Sequence, residues 1–282
     1  MGQERKSILI VDDDQEICRL LTRLLAADGF SLETCHTGED AVELLRDKQY
    51  DLVLLDLGLP DCHGLELLER FYGQGAKRCL IITADDTSES LLRAIKDQAY
   101  GYVRKPFDRQ QIVDLVHEAL EAPELPPIEV ISAKPEWFEL SVPCSRHAAD
   151  RMQQFMRQME PKLPEDIADP VSQCFRELLM NAVEWGGKLD PSRRVRIAYL
   201  RTPRMIQFRI ADPGPGFDFG GLEHAAVGHP DGDVVTHTQI REERGIRPGG
   251  FGLLMVRAMS DELVYNEKQN EVVFIKYLDG KK

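Results

Sequence analysis

Two rhythms of apolar and polar residues divide the chain. Over residues 7–119, Ser7–Val11, Leu52–Leu55 and Cys79–Thr83 are continuous apolar runs, the pattern of strands covered on both faces. Between them, Gln15–Ala27 and Gly38–Lys48 carry helical periodicity. Strand–helix alternation of this kind predicts an α/β fold with a parallel, doubly wound sheet, its functional rim at the carboxyl ends of the strands. Further on, Trp137–Val142 alternates as a strand and Arg146–Met159 is an amphipathic helix, with Met152, Met156 and Met159 as core. Asp169 and Pro170 form a helix start, an Asp cap followed by Pro at the first position. That helix turns Phe175, Leu178, Leu179 and Ala182 inward and presents Glu177, Asn181 and Glu184. Val195–Arg201 and Met205–Ile210 alternate as antiparallel strands joined at Thr202-Pro203. A helix over Leu253–Ser260 and closing strands at Leu263–Tyr265 and Val272–Tyr277 complete the pattern.

Between the two regions, a helix over Asp108–Leu120 runs into prolines at 123, 126 and 127. They cannot continue the helix and favour an extended spacer. The expected division is residues 1–121, a Pro-rich linker at 122–136, and residues 137–282. A chain of 282 residues can bury two cores of ordinary size. Hydrophobic content of 43% with 29% charged residues is that of a soluble globular protein. No apolar run approaches the roughly 20 residues of a membrane helix, and the start lacks a secretory cleavage pattern. A cytoplasmic protein without a membrane partner is expected. The net charge of −13 argues against a nucleic-acid surface. The six cysteines are scattered and read as reduced structural thiols. His224, His229 and His237 show no metal spacing.

Candidate chemistry in the first region gathers at the strand ends: Asp12 and Asp13, Asp56, Thr83, and Lys105 followed by Pro106. Three carboxylates on one rim repel unless they share a divalent cation, and hard oxygen ligands suit Mg²⁺. A carboxylate can also act as a nucleophile and form an acyl phosphate, whose oxygens Lys105 and Thr83 would bind. Strand-end aspartates also serve as helix caps, which is the reading taken for Asp14. Residues 6–121 closely resemble the response-regulator receiver domain. The resemblance rests on Asp12, Asp13, Asp56 in Leu-Leu-Asp56-Leu-Gly-Leu-Pro-Asp-Cys-His-Gly, Thr83, and Lys105 in Gly-Tyr102-Val-Arg-Lys105-Pro-Phe. It implies Asp12, Asp13 and Asp56 as metal ligands, Asp56 as phosphoacceptor, and Thr83, Tyr102 and Lys105 as the switch. Phosphorylation adds roughly two negative charges to the rim, drawing Thr83 toward them with Tyr102 turning inward.

In the second region, Glu177 and Asn181 are four apart and share one helical face. An acid beside an amide suits a site that holds hydrated Mg²⁺ and accepts a proton, though a solvated helix face has the same spacing. Asp212-Pro-Gly214-Pro-Gly216 follows a strand directly, and in isolation would read as a surface turn. Gly249-Gly250-Phe-Gly252 then opens a helix whose free N–H groups form an anion seat. In that order, the three motifs resemble the GHKL (Bergerat) nucleotide-binding fold, an α/β two-layer sandwich. The version here looks like the serine/threonine kinases that act as anti-sigma factors. The resemblance implies ATP and Mg²⁺, with Asn181 holding the metal, Glu177 as catalytic base, and Asp212 reading the adenine amino group. Gly214 and Gly216 would let the backbone approach the base and sugar, and Gly250 and Gly252 would bind the nucleotide from the glycine-rich helix start. Trp185 stands where this kinase group often has histidine, and prolines flank Gly214. Residues 218–248 are long for a structureless loop, the length of a functional lid. Arg241, Arg244 and Arg247 within it suit phosphate oxygens or a solvated face equally.

The expected function is a phosphorylation-gated serine/threonine protein kinase. Its implied partners are a cognate sensor histidine kinase, a STAS-type anti-anti-sigma protein as substrate, and a sigma factor as competitor. A homodimer is expected. The alternative is a module that sequesters a partner and binds ATP without turnover. His117-Glu118 resembles the phosphorylated pair of sensor histidine kinases, but falls inside the last helix of the first region and reads as a surface histidine.

Overall fold

The computed structural model describes residues 5–85, 87–124, 126–134, 136–159, 163–216 and 252–279. The chain forms two compact units, Met1–Glu124 and Leu125–Lys282.

The first unit is a five-stranded parallel sheet of β1 (Ser7–Val11), β2 (Ser31–Cys35), β3 (Leu52–Leu55), β4 (Cys79–Thr83) and β5 (Gly101–Arg104). The order β2-β1-β3-β4-β5 reverses direction at β1. Helices α1 (Gln15–Ala26), α2 (Gly38–Asp47), α3 (Leu68–Gln74), α4 (Ser88–Lys96) and α5 (Arg109–Glu121) accompany the strands. The continuous apolar runs are central because both faces are covered: all residues of β3 and β4 are buried. Four helices start on a side-chain cap, from Asp14, Thr37, Thr87 and Asp108. Each such cap contributes about 1 kcal/mol. Asp14 accepts from the N–H groups of Glu16 and Ile17, which gives it the capping role read from the sequence.

The second unit is an antiparallel six-stranded sheet in the order β10-β11-β9-β8-β7-β6. Its strands are β6 (Glu129–Lys134), β7 (Trp137–Pro143), β8 (Arg194–Arg201), β9 (Met205–Ala211), β10 (Glu262–Tyr265) and β11 (Glu271–Tyr277). Helices α6 (Arg146–Met159), α7 (Glu165–Asn181) and α8 (Gly252–Met259) complete it among the described residues. Register places Phe138, Tyr199, Phe208 and Phe274 in one row across four strands. Their ring centroids are 4.8, 5.2 and 6.1 Å apart, and Phe175 of α7 meets Phe208 at 4.9 Å. This aromatic row fastens α7 to the sheet and so fixes where the end of that helix points.

Three local expectations need correction. Helix α7 starts at Glu165, a turn before Asp169, and Pro170 lies inside it. The carbonyl of Pro164 receives Ile167 and Ala168, and Glu165 and Asp166 suit the positive end of the helix. The stretch read as a linker contains β6, paired with β7 through a register shift between Val130 and Ser132. That bulge breaks the alternation by which a strand is read. The helix carrying Asn181 continues as a π-helical turn over Ala182–Gly186. Among the described residues no helix is long and apolar enough to cross a membrane.

Candidate functional sites

In the first unit the strand ends bring the sequence-predicted residues together. Asp12, Asp56 and Thr83 are buried polar residues among an apolar core. Carboxylate oxygens of Asp12, Asp13 and Asp56 all lie within 4.8 Å of one another, with Asp13 exposed at the mouth. Lys105, after β5, reaches across with Nζ 2.7 Å from Asp12 Oδ2 and 2.9 Å from Asp56 Oδ2. Burial works against the Lys105 charge, but hydrogen bonds and charges from Asp12 and Asp56 outweigh it and hold the ammonium above its ordinary value. Asp56 Oδ1 accepts from Leu57 N at 2.7 Å, leaving the carboxylate aimed at the cluster. Thr83 Oγ1 accepts from Asp85 N at 3.2 Å, and Lys105 N donates to the Thr83 carbonyl at 2.7 Å. Tyr102 is turned inward at 2% exposure, its hydroxyl donating to the Asp85 carbonyl at 2.9 Å.

Gly64 belongs to this site although the chemistry of its side chain gave no signal. A Cβ there would collide with the Asp56 carbonyl oxygen and stand 2.9 Å from Leu57 Cα. The loop after Asp56 therefore folds back tightly only with glycine at that position. His117 forms a pair with Asp28, 3.2 Å away, and lies against Phe30, a partly exposed position on α5.

In the second unit, Glu177 and Asn181 occupy the last two turns of α7 and are half-buried. Gly252, the first residue of α8, packs on Glu177 so closely that a Cβ would overlap Oε2. Asp212 follows β9 and packs on Gly186, where a Cβ would overlap the Asp212 carboxylate. Gly186 was missed by residue chemistry; its signal was its place at the end of the motif helix. Gly214 is held by the same contacts: a Cβ would stand 2.7 Å from Asp212 Oδ1 and 2.9 Å from Gly186 Cα. Gly216 has φ +86°, and a Cβ would overlap the Lys268 carbonyl oxygen. The structure thus gives Gly214 and Gly216 a requirement from within the protein, where a ligand's close approach had been the expected reason.

The Asp212 carboxyl is pushed up by burial, partly offset by the Gly214 N–H and the charge of Arg193. Trp185 is exposed on the π turn. Gly250, the loop at 218–248 with Arg241, Arg244 and Arg247, and the three histidines within it lie outside the described residues.

The donor set at Asp12, Asp13 and Asp56 fits a hard divalent cation. Among the described residues, Glu177, Asn181 and Asp212 offer carboxylate and amide oxygens of the kind that suit a Mg²⁺-bound nucleotide, with glycines packed closely beside Glu177 and Asp212.

A family model described as response regulator receiver domain matches residues 8–117. A second, described as histidine kinase-like ATPase domain, matches residues 144–276. The DNA-binding response regulator MtrA of Mycolicibacterium smegmatis is 29% identical over 229 residues, 78% of this chain and 99% of that protein. The transcriptional regulatory protein ZraR of Salmonella typhimurium is 32% identical over 250 residues, 88% of this chain and 53% of that protein. A CheY-like receiver domain protein from Methanospirillum hungatei is 26% identical with a TM-score of 0.40, covering 42% of this chain and 95% of that one. The name of the first relative describes a DNA-binding protein, which stands against the expectation of no nucleic-acid partner.

Proposed function

The chain carries a response regulator receiver domain followed by a histidine kinase-like ATPase domain, and from that premise, as a two-component response regulator, we propose that phosphorylation of Asp56 controls a serine/threonine protein kinase in the second domain. A receiver domain implies a cognate sensor histidine kinase as phosphoryl donor. In this reading an Asp56 carboxylate oxygen attacks the phosphorus of the donor's phosphohistidine, the P–N bond breaks with the imidazole leaving, and an acyl phosphate forms on Asp56. Lys105 Nζ and the Thr83 hydroxyl then bind the new oxygens. Asp12, Asp13 and Asp56 would hold Mg²⁺, which when bound neutralises charge on the phosphoryl group.

In the second domain, the observation that carries the proposal is Gly252 seated on the Glu177 carboxylate. The start of α8, whose first N–H groups suit an anion, thus lies beside an acid able to serve as a base. Glu177 takes the proton of the attacking serine or threonine hydroxyl, and Asn181, one turn on, would hold Mg²⁺. Asp212 accepts a hydrogen bond from the amino group of adenine. Gly214, Gly216, Gly250 and Gly252 complete the ATP-binding surface.

The substrate is a STAS-type anti-anti-sigma protein, with a sigma factor as competing partner and no nucleic acid. The net charge of −13 favours that output. So do the arginines of the sheet: Arg194, Arg196 and Arg209 are each paired with a glutamate, Glu129, Glu139 and Glu271. Incubation of the full chain with radiolabelled ATP and the cognate STAS protein tests the proposal. Label should move to a serine or threonine of the partner and be lost with Glu177→Ala. Partner binding that survives Glu177→Ala, with no label moved by the wild type, assigns the domain to sequestration instead.

A further inference from the structure

Outside the nucleotide motifs, two side chains grip the turn after β9. Three successive carbonyls of that turn are held from outside it. Asn270 Nδ2 donates to the carbonyls of Asp212 at 3.4 Å and Gly214 at 3.2 Å. Arg193 Nη2 donates to the Pro213 carbonyl between them at 2.7 Å. The backbone joins in, with Asp212 N donating to the Asn270 carbonyl at 2.9 Å. The Asn270 amide is fixed in this orientation, because its Oδ1 accepts from Asn266 Nδ2 at 2.9 Å. Asn266 Oδ1 in turn accepts from Asn270 N at 3.1 Å and Glu271 N at 3.2 Å, closing the β10–β11 hairpin. Gln269 in the left-handed region, and Lys268 against Gly216, press that hairpin onto the turn.

We infer that Asn270 and Arg193 are positioning residues that clamp the Asp212–Gly216 turn and thereby set how well the second domain distinguishes a 6-amino from a 6-oxo purine. The inference deepens the nucleotide reading given above and rests on it. Asp212 Oδ1 is taken by Gly214 N at 2.7 Å, so acceptance from a base falls to Oδ2. A carboxylate oxygen gains from a 6-amino donor and is repelled by a 6-oxo acceptor only while it is held in place. Both clamps act through the carbonyls of the turn, not through the Asp212 carboxylate oxygen left for the base. Their loss lets the carboxylate drift, which weakens the matched base and spares the mismatched one.

Calorimetric titration of the full chain with Mg·ADP and Mg·inosine diphosphate tests this, alongside thermal melting. Asn270→Ala, Asn270→Asp and Arg193→Gln should each lower ADP affinity about fivefold to tenfold, with inosine diphosphate binding little changed, so that the ratio collapses. Asn266→Asp is the decisive control if Asn270→Ala fails to fold. It keeps the acceptor that closes the hairpin but sets a carboxylate against Asn270 Oδ1, turning that amide around, and should show the same loss. A wild-type ratio in Asn266→Asp or Asn270→Asp, with ADP still bound, overturns the clamp alone. A wild-type chain that binds neither nucleotide overturns the nucleotide reading and the clamp with it.

Discussion

Gly252 and Glu177 are in contact across α8 and α7, with no room for a methyl group between Gly252 Cα and the carboxylate Oε2. Gly252→Ala must therefore displace either the glutamate or the start of α8. Mg·ATP affinity in the full chain should fall at least about tenfold, or about 1.4 kcal/mol, with the melting temperature little changed. Titration calorimetry reads this. Undiminished affinity would place the nucleotide elsewhere.

Lys105 is the counter-ion of two buried carboxylates, Asp12 and Asp56. Lys105→Met leaves them facing each other, a loss of about 3 kcal/mol for a broken buried pair. A divalent cation can take over the neutralising role. Magnesium should therefore raise the melting temperature of the variant more than that of the wild type. An equal rise in both would mean that the cation does not share the Lys105 carboxylates.

Asp51 gives a pH-dependent stability test away from either site. Burial pushes it up, but hydrogen bonds from Lys77 and Ser7 N and the charges of Lys6 and Lys77 outweigh this and bring it to about 2. A depressed carboxyl contributes stability that is full above its unfolded value of 3.8 and is lost as the pH falls through about 2. Allowing for the exposed lysines, the contribution is about 1–2 kcal/mol at neutral pH. Asp51→Asn should destabilise the first domain by that amount at pH 7, the gap closing as pH drops below 3.8. Denaturant titrations across that range check it, and a pH-independent gap would contradict it.

The parallel sheet and its rim were legible because both signals are local. Buried strands are short apolar runs, Thr83 closes β4, and Asp12, Asp13, Asp56 and Lys105 lie within two residues past the ends of their strands. Alternation in β7, β8 and β9 was legible too, but the register that lines up Phe138, Tyr199, Phe208 and Phe274 is set by strand pairing and shows only in the fold. Features that depend on tertiary contact were not legible. β6 is weakly patterned and bulged, and forms because β7 offers it an edge. The π turn after Asn181 brings Gly186 onto Asp212, a contact that no spacing reports. Gly216 is required by Lys268, a residue distant in sequence. Asn270 sits in an ordinary hairpin turn, and only the fold shows which carbonyls it holds.

Control of phosphoryl transfer in the second domain by the state of Asp56 is the core of the proposed function. Its most direct test is the single-turnover rate of transfer from ATP to the STAS-type partner, measured with and without prior treatment by a small acyl phosphate, in wild type and Asp56→Asn. The rate should change on treatment in the wild type and be unresponsive in the variant. Transfer that is absent, or equal in all four conditions, would contradict it.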